Sequence, residues 1–240
     1  MQGCSCCGDP RRYRPAAGRV RAVRVRYNIQ DFVNNVYPDI HNISCKTISW
    51  LKERVILSPT KEQVDKVNNL ILAKIDTPTQ IYYSVDTVLN SGEAVHFPTE
   101  FLNSLNPSGL PPHKMELKVG CPVILLRNLN PTKLCNGTRL LVKSLKTFII
   151  VRCINSPNSS DTIRLPFQFK RLQFPVKISF AMTINKSQGQ TFNVAGLDLS
   201  VECFSRGQLH VALSRVTSKQ NIFVLSNDKK AVNVVYKDIL

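Results

Sequence analysis

The sequence has few of the features that mark membrane, secreted or metal-binding proteins. No run of about 18 apolar residues occurs, and the chain does not open with a charged, apolar and small-residue leader. The eight cysteines have neither the density nor the regular spacing of a disulfide scaffold. Near Cys4, Cys6 and Cys7, no histidine or further cysteine follows within zinc-finger distance. We therefore expect a soluble, intracellular protein with reduced thiols, no membrane partner and no metal site.

Two short motifs of nucleotide-hydrolysing enzymes are also missing. The sequence contains no Gly-Lys-Ser or Gly-Lys-Thr, so it has no phosphate loop. It also contains no Asp-Glu pair that could hold Mg²⁺ and position an attacking water. These absences argue against ATP hydrolysis by this chain alone.

Acidic residues are scarce in this protein. The chain has 16 Asp and Glu against 32 Lys and Arg, which gives a net charge of +16. A polyanion is the favoured partner, and nucleic acid is favoured over a membrane because no basic amphipathic stripe stands out. Seven arginines lie within residues 1–27, beside a single acid. We expect residues 1–30 to form a basic, disordered arm, with an organelle-targeting segment as the alternative.

Two parts of the chain have the pattern of an α/β domain. The apolar run 55–57 is followed by a Ser-Pro-Thr capping turn and by the amphipathic segment 61–72, which predicts a buried strand and a helix. Residues 81–84 are a plausible next strand. After Pro175 we expect strands at 176–182, 194–199 and 222–225 and a helix near 206–214. Strands that alternate with helices predict one doubly wound parallel sheet.

The middle of the chain has a different pattern. Short β-rich runs are divided by turns, and they lie at 116–120, 123–127, 138–142, 148–152 and 162–165. The pair Asn136-Gly137 suits a reverse turn. Several short strands without helices between them predict a small barrel that interrupts the parallel sheet.

The segment after the strand at 176–182 is a first candidate site. Small polar residues follow the carboxyl end of this strand, where open α/β sheets bind ligands. They are Thr183, Asn185, Lys186, Ser187 and Gln188. Such side chains suit phosphate oxygens, and Gly189 permits a positive φ. The alternative is an ordinary strand-to-helix loop in which Thr183 or Ser187 caps a helix. The residues alone leave both interpretations open.

The helix near 206–214 and the arginine that follows it are a second candidate site. We expect a buried stripe of Leu209, Ala212 and Leu213, while Gln208 and Arg215 point the same way because they are seven residues apart. An arginine held at the end of a buried helix can neutralise charge in phosphoryl transfer. The alternative is an arginine that complements the helix dipole, which is the commoner situation.

Several segments together resemble a known family. The segment 183–190 reads Thr-Ile-Asn-Lys-Ser-Gln-Gly-Gln, and the segment 207–215 reads Gly-Gln-Leu-His-Val-Ala-Leu-Ser-Arg. They are similar to motifs V and VI of superfamily-one helicases. Further similar segments lie at 55–60, 97–113, 117–129, 134–139 and 167–171. These segments occur in the same order and without large gaps in the petite-integration-frequency-type (Pif-one-like) DNA helicases, which the chain resembles. The branch carried by Helitron transposons is the most similar.

The resemblance implies a fold and a division into domains. The expected fold is α/β, with a RecA-like parallel-sheet domain of the type found in P-loop NTPases at residues 50–92 and 175–228. A small SH3-like β-barrel, domain 2B, would be inserted with its linker at 93–174. Residues 229–240 would form a C-terminal tail.

The resemblance also implies roles for single residues. Arg215 would be the arginine finger. The nucleotide contacts would be Gln208, Gly189 and Gln190, and the contacts with single-stranded DNA would be Thr183, Asn185, Lys186 and Ser187. Asn185 stands where cellular members of the family have histidine, and its amide can still donate a hydrogen bond.

Two functions follow from the resemblance. The first is the C-terminal half of an ATP-dependent, five-prime to three-prime DNA helicase, joined to a first motor domain and located in the nucleus or, alternatively, the mitochondrion. ATP and Mg²⁺ are implied as cofactors, although most of their binding site is absent from this chain. The second is a transposon-derived module that binds single-stranded nucleic acid without hydrolysing ATP. A barrel that serves in protein interaction is a third, weaker alternative.

Overall fold

The computed structural model describes residues 24–88, 97–107, 109–130, 134–146, 149–155 and 169–227. Its α-helices are α1 (Ile29–Val36), α2 (Ile48–Lys52), α3 (Lys61–Ala73), α4 (Thr99–Ser104) and α5 (Gln208–Leu213). Short 3₁₀ helices span Ile40–Cys45, Ile184–Ser187 and Lys219–Asn221. The strand expected at 162–165, the arm up to residue 23 and the tail 229–240 lie outside the described residues.

Thirteen strands belong to the described part. They are β1 (Arg24–Arg26), β2 (Arg54–Ser58), β3 (Thr79–Tyr83), β4 (Val85–Val88), β5 (Lys114–Lys118), β6 (Pro122–Leu125), β7 (Arg139–Leu145), β8 (Ile149–Asn155), β9 (Phe169–Leu172), β10 (Val176–Ile178), β11 (Ala181–Thr183), β12 (Val194–Asp198) and β13 (Ile222–Leu225).

The largest sheet in the described residues has five strands. Its order is β1-β13-β12-β2-β11, and every neighbouring pair is parallel. Side chains alternate between its faces, since Ile56 packs with α1 and α3 whereas Val55 and Leu57 pack with Ala212 of α5. Helices therefore cover both faces, and the predicted doubly wound parallel sheet is confirmed.

Local sequence explains how helix α3 begins and why it packs on the sheet. The Thr60 hydroxyl accepts from the Gln63 amide at 3.4 Å, which satisfies a backbone donor that the first turn would leave unpaired. Val64, Val67 and Ile71 then recur at helical spacing and are all buried. The strand and helix predicted at 55–72 are confirmed as β2 and α3.

Helix α1 approaches the sheet closely because a glycine lies beneath it. A Cβ atom added to Gly196 in β12 would lie 2.7 Å from Phe32 Cζ and 2.8 Å from Val36 Cγ2. Any larger side chain there would push α1 away from the sheet.

Three predicted elements differ from the structure. The run 81–84 does not extend the parallel sheet, because β3 pairs antiparallel with β5. The strand expected at 176–182 is two strands, since β10 pairs with β6 and β11 pairs with β2. Arg24–Arg26, inside the segment expected to be a disordered arm, forms the edge strand β1 against β13. Each difference arises from pairing with a strand distant in sequence, which a local pattern does not encode.

The middle of the chain is antiparallel. One sheet has the order β10-β6-β7-β8, and two ribbons are formed by β3 with β5 and by β4 with β9. A turn at Asn136 and Gly137 leads into β7, with the Thr138 amide donating to the Cys135 carbonyl at 3.0 Å. Gly137 has a φ of 88°, so the turn predicted at this pair is confirmed.

Two kinds of feature are absent from the described residues. No helix there is long and apolar enough to cross a membrane. Within the same residues, no group of three or more His, Cys, Asp or Glu side chains is placed to hold a metal ion.

Candidate functional site

The first candidate segment begins at the carboxyl end of β11. Thr183 lies beside Ser58 in the parallel register of β11 and β2. The chain then turns through the 3₁₀ helix Ile184–Ser187, which the fully buried Ile184 anchors in the core. Asn185 and Lys186 are exposed on this turn, and Thr183 is half-buried. The turn therefore presents an amide and an ammonium group to solvent.

Ser187 differs from the other residues that were expected to contact DNA. It is fully buried, and its hydroxyl donates to the Ile184 carbonyl at 2.6 Å. The hydroxyl thus closes the turn instead of facing solvent, and it would reach a strand of DNA only if the turn opened. The structure does not bring Ser187 to the same surface as Asn185 and Lys186.

Gly189 and Gln190 continue the segment toward β12. Gly189 has a φ of 79° with open space where a Cβ would be, so its backbone conformation is what favours glycine. The buried Gln190 donates from Nε2 to the Lys186 carbonyl at 3.3 Å. Its Oε1 atom has no hydrogen-bond partner among the described residues.

Gln208 lies at the start of helix α5, next to Gly207 with a φ of 74°. Its Oε1 accepts from the Phe204 amide at 3.2 Å, and the side chain is buried. Its Nε2 atom is buried and, within the part of the chain that the structure describes, has no acceptor. A buried unpaired donor is costly, so this amide is suited to a polar ligand atom.

The helix α5 is shorter than expected, and its buried stripe differs. Ala212 and Gln208 are buried, whereas Leu209 and Leu213 are only partly buried. All three residues of the expected stripe, Leu209, Ala212 and Leu213, pack on the core, and the buried Gln208 was not expected among them.

Arg215 connects the two candidate segments. Its Nη1 donates to the Gln190 carbonyl at 3.2 Å, and its Nε donates to the Val211 carbonyl at 3.0 Å. The Phe192 amide in turn donates to the Arg215 carbonyl at 2.8 Å. Helix α5 also packs against the turn Ile184–Ser187. The structure therefore brings Gln190 and Arg215 together, although they are 25 positions apart.

The candidate site is positively charged. Residues 183–192 and 207–217 contain Lys186 and Arg215 but no aspartate or glutamate. Backbone carbonyls, which carry only partial charge, accept from the Arg215 guanidinium. This combination suits an anionic ligand.

A buried acidic group next to the site was not predicted. Asp198, at the end of β12, accepts from the Ser58 hydroxyl at 3.4 Å and from Gln63 Nε2 at 3.4 Å. It also accepts from the Ser200 amide at 3.1 Å and from the Ser200 hydroxyl at 2.7 Å. The available signal was a carboxylate inside the apolar run 194–199. Asp198 fixes the carboxyl edge of the sheet beside Thr183.

Known proteins match this chain over most of its described length. The family model for the 2B domain of the DNA helicase Pif1 matches residues 100–145. The ATP-dependent DNA helicase Pif1 of Bdellovibrio bacteriovorus is 31% identical over 189 residues, which covers 74% of this chain and 40% of that protein. The human ATP-dependent DNA helicase PIF1 is 32% identical over 130 residues, covering 49% of this chain and 20% of the relative.

Solved structures show the same fold. The Pif1 helicase of Candida albicans matches with a TM-score of 0.58 at 24% identity, covering 88% of this chain and 52% of that one. The Bacteroides Pif1 helicase in complex with ADP-AlF3 and single-stranded DNA also matches with a TM-score of 0.58, at 23% identity, covering 87% and 52%.

The parallel-sheet domain thus has the RecA-like fold of these helicases, while the chain spans about half or less of the length of the relatives that it matches. Together the family model, the homologous sequences and the shared fold place the chain among the Pif1-like helicases, as a counterpart of the C-terminal part of its relatives.

Proposed function

We propose that this chain is the C-terminal half of an ATP-dependent, five-prime to three-prime DNA helicase, in which it contacts single-stranded DNA and supplies Arg215 as the arginine finger. The observation that carries the proposal is the hydrogen bond between Arg215 Nη1 and the Gln190 carbonyl. Through it, the polar turn at the end of β11 and the end of α5 form one positively charged site.

The DNA contacts are proposed for the exposed side chains of the turn. Asn185 can donate a hydrogen bond and Lys186 carries a charge, which are the groups that bind phosphate oxygens. Thr183 is half-buried beside them. Since the Ser187 hydroxyl is engaged within the turn, we assign Ser187 the role of shaping the contact surface.

The polar groups of the two candidate segments fit one side of a nucleotide. The buried Gln208 Nε2 and Gln190 Oε1 atoms lack partners among the described residues, and the Arg215 guanidinium lies beside the Gln190 backbone. Gly189, with its φ of 79°, lets the backbone turn directly before Gln190. When bound, ATP would supply the phosphoryl group that is transferred, and Arg215 would neutralise its negative charge in the transition state. With no phosphate loop in the sequence, a first motor domain would supply the other contacts and hold Mg²⁺.

The antiparallel strands fit the proposed inserted domain. The 2B family model covers the segment from α4 through β7, and we propose that these strands form the SH3-like barrel. The parallel-sheet domain would then be drawn from the proposed 50–92 and 175–228 and would extend to β1 and to α1, which packs on the same sheet. Within those ranges, β3, β4 and β10 pair with the antiparallel strands instead. From the sequence resemblance we further propose that the chain belongs to the Helitron branch and is located in the nucleus or, alternatively, the mitochondrion.

A second function is favoured by one observation, the absence of a phosphate loop and of an Asp-Glu pair from the sequence. On this alternative, the chain binds single-stranded nucleic acid without hydrolysing ATP.

Both functions require DNA binding, which fluorescence anisotropy with a labelled single-stranded oligonucleotide tests directly. Affinity should fall steeply as salt rises, because phosphate contacts release counterions. Replacing Asn185 and Lys186 together by alanine should weaken binding and reduce the salt slope by about 0.7, the value for one lost phosphate contact. Lys66→Ala, which removes an exposed lysine on α3, is the matched control and should leave the slope unchanged. If wild type does not bind at low salt, or if the double variant matches the control, the DNA-binding role fails.

A further inference from the structure

Arg139, the first residue of β7, is a fully buried arginine in the antiparallel sheet. A guanidinium cannot be buried cheaply unless it is hydrogen-bonded, so the placement of its partners defines what it does. Burial lowers the pKa of Arg139 below its usual value.

The Arg139 guanidinium donates to backbone carbonyls outside the strands of its own sheet. Nη1 donates to Lys52 at 3.4 Å, and Nη2 donates to Leu51 at 3.4 Å and to Arg54 at 3.3 Å. Nη2 also donates to the carbonyl of Ser179 at 3.3 Å. The first three carbonyls belong to the junction of α2 with β2. The fourth lies where the chain crosses from β10 to β11. Arg139 therefore ties the antiparallel sheet to the starts of β2 and β11 in the parallel sheet.

Tyr37 also bonds to backbone carbonyls at the starts of β2 and β11. Its hydroxyl donates to the Phe180 carbonyl at 2.7 Å and to the Arg54 carbonyl at 3.3 Å. Burial raises the pKa of Tyr37, with the charges of Arg139 and Arg54 acting in the opposite direction. Tyr37 therefore stays a neutral donor and shares the Arg54 carbonyl with Arg139.

The guanidinium also faces the segment that holds Arg215. Arg139 Cζ lies 5.7 Å from the centroid of the buried Phe192 ring, within the range of a cation–π contact. Phe192 donates from its amide to the Arg215 carbonyl at 2.8 Å. It also follows Gln190 by two residues, and the Gln190 carbonyl accepts from Arg215. Two contacts thus connect Arg139 to Arg215.

We propose that Arg139 is a positioning residue that sets the location of Arg215 through Phe192 and couples it to the antiparallel sheet. A shift of that sheet against the parallel sheet would break the carbonyl bonds of Arg139 and release Phe192. The importance of Arg215 rests on the proposed function, whereas the coupling rests on the contacts of Arg139 alone.

A second buried arginine provides a matched control. The Arg171 side chain is fully buried and pairs with Asp86 at 2.6 Å. It also donates to the carbonyls of Leu102, Leu105 and Pro111, at 2.8, 3.0 and 3.2 Å. These partners lie within the antiparallel region and its loops, and they differ from the four carbonyls that accept from Arg139. Loss of Arg171 should therefore destabilise the protein without loosening Phe192.

Hydrogen–deuterium exchange of the Phe192 amide, resolved by NMR, tests the proposal at neutral pH, without nucleic acid and under conditions where every variant is folded. Arg139→Met should speed exchange of this amide by about tenfold or more, because the guanidinium contacts that hold the segment are lost. Arg171→Met should leave the Phe192 amide within about twofold of wild type and speed exchange near residues 85–88 instead. Arg139→Lys, which keeps the charge but lacks the planar fork, should give an intermediate rate.

Equal effects of Arg139→Met and Arg171→Met on the Phe192 amide, or no effect of Arg139→Met, would overturn the proposal. If Arg139→Met does not fold, Phe192→Leu decides, because it removes the ring and keeps the four carbonyl bonds. In that variant the amides of Ser214 and Arg215 should exchange faster while Leu51 and Arg54 stay protected. Unchanged rates at Ser214 and Arg215 would contradict the coupling. Since the exchange measurement contains no DNA, its failure is distinct from a failure of DNA binding.

Discussion

The guanidinium of Arg215 donates to the backbone carbonyl of Gln190 across 3.2 Å, so the end of α5 is fixed to the loop that follows β11. The amide of Phe192 returns a bond to the Arg215 carbonyl at 2.8 Å. Together these bonds hold the side chain in place on its own domain. An arginine finger needs such placement, since its effect depends on where the charge is held.

Removing this side chain should loosen the loop as well as remove its charge. Arg215→Ala should lower the free energy of unfolding by about 1–2 kcal/mol, because the side-chain bonds to Val211 and Gln190 are lost. Urea denaturation measures the change. Arg127→Ala, which removes an exposed arginine, should change it by less than about 0.5 kcal/mol. Equal changes in the two variants would show that the Arg215 bonds do not contribute to stability.

Two glycines should respond to alanine for different reasons. Gly189→Ala places a Cβ in open space at a φ of 79°, so only backbone strain acts and the cost should be about 1 kcal/mol. Gly196→Ala forces a Cβ to within 2.7 Å of Phe32 Cζ, and overpacking should cost about 1–3 kcal/mol. Thermal or urea unfolding separates the two. A larger loss from Gly189→Ala would mean that the loop is more closely packed than the structure shows.

Asp198 should be more sensitive to neutral replacement than a surface acid. In Asp198→Asn an amide nitrogen would face donors from Ser58, Gln63 and Ser200, and we expect a loss of about 1–3 kcal/mol. The control is Asp65→Asn, which breaks the partly exposed pair with Lys177 at 2.7 Å and should cost less than about 1 kcal/mol. Denaturant midpoints measured side by side test this ranking, and the reverse order would contradict it.

Ionisation of Tyr37 should make the protein less stable in alkali. Burial raises its pKa in the folded state, so its stabilising effect is present below the unfolded pKa of about 10 and is lost as pH rises beyond that value. The slope is at most about 1.4 kcal/mol per pH unit for one group. In Tyr37→Phe, stability at neutral pH should fall by about 1 kcal/mol, and the decline above pH 10 should be shallower. An identical alkaline decline in both proteins would exclude Tyr37 as its source.

Much of the parallel domain was predictable because its signals are local. The apolar run 55–57, the capping Thr60 and the helical spacing of Val64, Val67 and Ile71 lie within one stretch of sequence. The Asn136-Gly137 turn is equally local. Such elements are determined by backbone preference and periodicity, which single-sequence reasoning can read.

What the sequence could not predict depends on distant partners. The sequence predicts one strand at 176–182, yet the chain changes sheets at Ser179 and Phe180. There the Ser179 amide donates to the Pro122 carbonyl and the Ile56 amide donates to the Phe180 carbonyl. The burial of Arg139 depends on acceptors such as the Leu51 carbonyl, which is 88 positions away in the sequence. Ser187 has the residue type of a ligand contact, but the turn that buries it appears only in three dimensions. The exposure of each candidate residue therefore depends on the fold and could not be predicted from its residue type.

In the proposed function, Arg215 acts on a nucleotide that is held mainly by another domain. DNA-stimulated ATP hydrolysis tests it, measured for the chain alone and for the chain joined to a first motor domain that carries a phosphate loop. The chain alone should show negligible turnover, because its sequence lacks that loop and an Asp-Glu pair. The joined protein should hydrolyse ATP, and Arg215→Ala should reduce its rate by about 10³-fold or more, with Arg127→Ala unchanged. Turnover by the chain alone that disappears in Arg215→Ala, or full activity of the joined Arg215→Ala protein, would contradict this role of Arg215.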